Sequence, residues 1–214
     1  MLLDSKVGKQ SNSSGAQANL RSNREGDLLV SENLPRFYQK VAEGDVFSAT
    51  TPLAGVTLAA THTTATLGAT ATPIITIFNG GTLNIAINRT YLATLSGTPA
   101  AGSYYWYVAP TQVGSALTLL TDTTINNKTF ITDTPSGVKI GYGKALTGLV
   151  GNLTQLRPAG TLNTVTASLG FIDDKTEGVV IVPPNGLIAL MATATGTTHV
   201  VNASVELIKV ENIS

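Results

Sequence analysis

The chain contains no cysteine. That excludes disulfides, cysteine-ligated zinc and thiol catalysis. Charge is scarce as well. Only 12% of the 214 residues are charged, and the two signs balance at 13 each. No field of one sign exists to attract nucleic acid or an anionic membrane. Histidine occurs at only two positions, His62 and His199, and neither has an acid or second histidine within five residues. A catalytic or metal-binding histidine needs such neighbours, so both are expected at the surface or at strand ends. No apolar run approaches the ~18 residues of a membrane helix. The start, with two leucines before Asp4, lacks the apolar core of a signal peptide, so the chain is expected to work without one. Phosphate-loop and GxSxG patterns are missing too.

Thr, Ala, Ser and Asn take the place of the missing charge. Such a surface suits proteins packed into assemblies. Residues 178–211 read GVVIVPPNGLIALMATATGTTHVVNASVELIKVE. Two apolar runs flank Pro183-Pro184-Asn185-Gly186, and an alternating run follows: strand, turn, strand, loop, strand. In the last run Val201, Ala203, Val205 and Leu207 face one way, and Asn202, Ser204 and Glu206 the other. Further strands are expected at 47–58 (turning at Pro52), 103–110, 115–125, 136–146 and 161–172. A hairpin is expected over 71–95, closed by Asn79-Gly80-Gly81. Residues 145–156 space leucines three and four apart, as a helix would, but their two glycines make a loop an equal reading. Eight or nine strands with turn signals about every ten residues predict an all-β, jelly-roll-like β-sandwich.

Charge is unevenly placed. Residues 1–45 hold twelve of the 26 charged side chains, which marks a boundary. The division is an N-terminal arm over 1–46 and a β-sandwich domain over 47–214. Residues 5–27 are too polar to offset their ordering entropy alone. Leu34, Phe37, Tyr38 and Val41 fall on one helical face, which predicts a short helix over about 33–43 stopped by Gly44. So short a helix needs a surface to dock on. These four side chains are the candidate interface, with Arg21, Arg24 and Arg36 able to pair with acidic sites on a partner.

Two other clusters bear on chemistry. Asp173, Asp174 and Glu177 form an acidic group, but their spacing matches no calcium loop and Lys175 interrupts them. A solvated turn between strands is the reading, and Asp122 and Asp133 are treated alike. Tyr104, Tyr105, Trp106 and Tyr107 occupy one strand. Alternation puts Tyr104 and Trp106 on one face and Tyr105 and Tyr107 on the other. One pair is expected in the core. The other is a candidate interface or glycan platform. Few basic residues accompany them, which disfavours nucleic acid.

The segments GDLLVSENLPRFYQKVAEGDVFSATTPLAGVTLAA and VPPNGLIALMATATGTTHVVNASVELIKVE resemble structural proteins of tailed-bacteriophage virions. There a short aromatic helix precedes a "VFxAxTxxAGVxL" pattern, and a "PPxGxxAL…VNAS" ending closes a β-sandwich. The likeness covers roughly a third of the chain. It implies a jelly-roll-like fold, no enzymatic activity, no cofactor, and a place in a virion assembled in the host cytoplasm. The implied partners are other virion proteins, such as capsid or tail proteins. A homo-oligomer, a trimer among the options, accords with the low-charge faces. A head-fibre or tail module that binds a receptor or glycan is the alternative, and a virion-associated hydrolase a third reading that two isolated histidines argue against.

Overall fold

The computed structural model describes residues 40–41, 44–58, 62–98, 100–109, 111–112, 125–127, 137–162, 171–194 and 197–210. They form twelve strands: β1 (Val46–Thr50), β2 (Val56–Thr57), β3 (Thr66–Leu67), β4 (Ile75–Asn79), β5 (Asn84–Thr98), β6 (Gly102–Ala109), β7 (Ile125–Asn127), β8 (Val138–Gly141), β9 (Leu153–Leu162), β10 (Phe171–Val182), β11 (Leu187–Ala192) and β12 (Thr197–Val210).

Two antiparallel sheets result. The first runs β10-β5-β12-β1-β7, with β2 also on β12, and the second runs β3-β9-β6-β11-β4-β8. The main core joins them. Phe47, Ile87, Val180, Val205 and Leu207 of the first sheet pack with Ile75, Trp106, Ile140, Ile188 and Leu190 of the second. The alternation read in β12 is realised here: Val201, Ala203, Val205 and Leu207 are fully buried in this core, while Asn202, Ser204 and Glu206 lie on the opposite face. Each buried aliphatic side chain contributes about 1.5–3 kcal/mol relative to exposure.

A second apolar layer covers the outer face of the second sheet. Leu67, Ala71, Leu146 and Leu149 pack over Phe78, Tyr107, Leu187, Ala189 and Met191. Hydrogen bonds hold this cover in place. The Tyr107 hydroxyl donates to the Thr64 carbonyl at 2.9 Å. The Gln112 amide donates to the Val150 carbonyl at 2.9 Å and accepts from its N–H at 2.7 Å. β11 can therefore be apolar throughout, because both of its faces are covered.

The expected hairpin over 71–95 is not formed. β4 belongs to the second sheet and β5 to the first, so the Asn79-Gly80-Gly81 segment crosses between sheets. Buried Asn79 holds the crossing: its amide donates to the carbonyls of Leu83 and Val182, both at 2.9 Å, and its oxygen accepts from Gly81 N–H. The Pro183–Gly186 turn likewise links β10 of one sheet to β11 of the other. The stretch over 145–156, read as helix-like or as a loop, instead runs into β9 at Leu153. Its register against β6 slips twice, beside Leu156 and Ala159, and these bulges break the alternation by which a strand is recognised.

Gly44 N–H donates to the Val41 carbonyl and Asp45 N–H to that of Lys40, with Gly44 at φ 78°. Residues 33–39 and 42–43 of the expected helix lie outside the described residues, as do the arm over 1–39 and residues 115–124 and 163–170 of two expected strands.

Candidate functional site

The most distinctive chemistry lies along the seam where β10, an edge of the first sheet, meets β9 of the second. At one end the sheets close tightly. Gly160 allows this: a Cβ there would sit 2.7 Å from the Ile172 side chain. Beside it, Arg157 Nη2 donates to Asp174 Oδ1 at 2.9 Å and ties β9 to β10. Asp174 points inward, with its side chain only 7% exposed, whereas Arg157 keeps 35%. Burial pushes the Asp174 carboxyl above its ordinary range, against the pull of Arg157 and of the nearby Trp106 indole.

The neighbouring carboxylate behaves oppositely. Asp173 faces outward, where Arg89 grips it with two hydrogen bonds, Nε to Oδ1 at 2.6 Å and Nη2 to Oδ2. That pairing lowers the Asp173 carboxyl below its ordinary range. The same guanidinium lies 4.5 Å from the Tyr91 ring centre, and Tyr91 contacts Phe171 at 5.9 Å. The acidic cluster is therefore not a solvated turn. Both aspartates sit within β10 and hold arginines from two other strands. Glu177 follows at φ 49° in a bulge with Gly178, where the register against β5 jumps from Lys175 to Val180. Among the described residues, no three His, Cys, Asp or Glu side chains gather as a metal site.

The opposite trends give a measurable order. A carboxyl NMR titration of the full chain is expected to show Asp174 protonating at higher pH than Asp173. The linked stabilities differ in sign. Asp173 stabilises the fold above its unfolded-state pKa, and this is lost as pH falls through its lowered folded value. Asp174 favours the fold below its unfolded-state pKa, and this is lost as pH rises through its raised folded value. The reverse titration order would mean that Arg157 outweighs burial.

Beyond the bulge the sheets part. A groove of about 460 Å³ opens between residues 179–183 and a floor that includes Val108, Leu156, Leu187 and Ile188. Val179, Ile181 and Leu156 are 81%, 49% and 47% exposed. The groove is apolar, with no acid, base or nucleophile in its lining.

Both histidines are buried, contrary to the expected surface or strand-end positions. His199 lies inside β12, fully buried, with Nε2 3.2 Å from the Thr94 hydroxyl. His62 is also buried, and burial lowers its pKa. The aromatic strand divides as its alternation requires. Tyr104 and Trp106 enter the main core, and Tyr105 and Tyr107 the second layer. Only Tyr105 keeps a partly exposed side chain, so the strand presents no stacking platform. Val41 is half-buried. Leu34, Phe37, Tyr38, Arg21, Arg24, Arg36, Asp122 and Asp133 lie outside the described residues.

Sequence reasoning missed Arg89, Arg157 and the groove. The arginines are isolated in sequence, and their partners lie 84 and 17 residues away. The visible signal was the exposed-side run Val179, Ile181, which breaks the polar-out rule for a sheet edge. Comparison with protein-family models, curated proteins and solved structures finds no match to this chain.

Proposed function

We propose that this chain is a non-enzymatic structural protein of a bacteriophage virion: a capsid-associated decoration, cement or minor head protein that assembles with copies of itself and with other virion proteins. The observation that carries the reading is the strand order. Taken as a jelly roll, the sandwich has β1, β12, β5 and β10 as neighbours in one sheet and β4, β11, β6 and β9 as neighbours in the other. Along the chain these eight strands alternate between sheets, except that β9 follows β6 in the same sheet. Jelly rolls of this order are an architecture of viral capsid and lectin domains.

A fold alone does not assign a role, and two further features support this one. The groove offers apolar contact surface without reactive groups. The chain carries no net charge, so copies can pack without mutual repulsion. The function is mechanical: docking through several modest surfaces, with avidity multiplying their affinities. The glycan-binding alternative loses its platform with the burial of Trp106, Tyr104 and Tyr107.

Mass spectrometry of density-purified particles from the phage that encodes the chain tests the reading. The chain is expected in intact particles at a fixed ratio to the major capsid protein. Its absence from infectious particles would refute the proposal.

A further inference from the structure

We propose that the closed end of the β9–β10 seam binds one internal water molecule, held between the Asp174 carboxylate, the Thr90 hydroxyl and the Trp106 indole. Three observations carry this. First, Asp174 Oδ2, Thr90 Oγ1 and Trp106 Nε1 are buried and bond to no atom of the protein. Their residues are 8%, 0% and 0% exposed. Interior polar atoms almost always have a partner, either protein or ordered water, so three without one call for a shared partner. Second, the three lie together although they come from three strands of two sheets. Thr90 of β5 stands directly opposite Asp174 of β10. Side chains so placed share a face, with Cβ atoms about 4.5–5.5 Å apart. Trp106 of β6 approaches from the other sheet, near enough for its indole to pull on the Asp174 carboxyl. Yet no two of the three atoms bond directly.

Third, the donor set fits water. The indole N–H only donates, the carboxylate oxygen only accepts, and the hydroxyl does either. A water accepts from Trp106, donates to Asp174 Oδ2 and exchanges a third bond with Thr90, which is the usual complement of a buried water. A metal ion does not fit, because the indole nitrogen has no lone pair to offer. Asp174 Oδ1 is already taken by Arg157, which leaves Oδ2 for the water. A direct Trp106–Asp174 bond would leave the Thr90 hydroxyl alone in the core, whereas one water serves all three. The water joins β5 and β10 to β6 just where Gly160 lets the sheets close and Arg157 ties β9 to β10. Four strands thus meet at one polar joint beside an apolar core. The inference goes beyond the proposed function and needs neither the virion assignment nor self-assembly.

NOESY and ROESY spectra of the ¹⁵N-labelled full chain test it. The chain has one tryptophan, so its indole proton gives a single, unambiguous signal. The wild type is expected to show a cross peak from that proton to water, opposite in sign between the two spectra, as for a water that stays bound longer than the molecule tumbles. Cross peaks of equal sign would report proton exchange with bulk solvent and would overturn the proposal. The absence of any cross peak would overturn it as well, and would favour a direct bond from the indole to Asp174. A hydroxyl proton in fast exchange with solvent gives the same signature as bound water, so Thr90→Val is the control. It removes the neighbouring hydroxyl at unchanged shape, and the two partners that remain suffice to hold a water. The cross peak is expected to persist in this variant. Its loss would assign the signal to the Thr90 hydroxyl and overturn the water. Circular dichroism melts check that the variant is folded, and Thr90→Ala repeats the test if valine is not accommodated.

Discussion

Replacing Trp106 by alanine is expected to destabilise the fold by about 3–5 kcal/mol. The indole is fully buried, at the centre of the core that joins the two sheets. Around it lie Tyr104 on its own strand, Leu190 opposite it on β11, and Arg157 opposite it on β9. Truncation would remove the largest buried side chain of the core, and rigid strands on both sides cannot collapse to fill the space. A second effect adds to the first. Asp174 keeps its buried carboxyl partly by the proximity of the indole, so the variant would also loosen the ion pair that holds β10 to β9. Urea unfolding, followed by circular dichroism, would measure the loss as a shift in midpoint at unchanged slope. A loss under about 1 kcal/mol would show that the ring is not buried, and would restore the aromatic strand as a candidate ligand platform.

The second large effect is expected at Gly137, where Gly137→Val should cost about 2–4 kcal/mol. Gly137 adopts φ 82°, a left-handed conformation that disfavours any side chain. It also touches another backbone: a Cβ there would lie 2.5 Å from the Gly80 carbonyl oxygen and 2.6 Å from its carbon. No rotamer relieves a clash with a peptide group. The contact has a structural purpose. Gly80 N–H donates to the Gly137 carbonyl at 3.0 Å, just where β4 ends and β8 begins. The substitution would push apart the crossing that carries the chain from the second sheet to the first. Gly68→Ala provides the control, because its added Cβ would meet only the Asn152 side chain, at 4.0 Å. Thermal melts should separate the two variants clearly. Equal melting temperatures would mean that the Gly80–Gly137 approach relaxes at no cost.

Several features were legible before any coordinates. The period-two pattern of Val201, Ala203, Val205 and Leu207 assigned the buried face of β12 correctly, and the same pattern split the four aromatic residues of β6 into two layers. The turn at Pro52 was equally visible, because proline acts on its own backbone. Other features were not. Asn79-Gly80-Gly81 carries the local chemistry of a hairpin, yet it bridges two sheets, since its flanking strands gain more by pairing with β11 and β12. β9 went unrecognised because two bulges and Pro158 break its alternation. His199 looked like a strand-end residue, but β12 extends past it on the N-terminal side and turns its ring inward toward Thr94.

The sequence by itself determined that this is a β protein without cysteine chemistry or net charge, and it determined which side of its clearest strands is apolar. Those properties follow from composition and from the two-residue repeat of an extended backbone, both local quantities. Only the tertiary structure decided which strands share a sheet, that Asp173 and Asp174 hold different arginines, and that Val179 stands beside an open apolar groove. Each of these depends on residues far apart in the chain, brought together by the packing of one sheet upon the other.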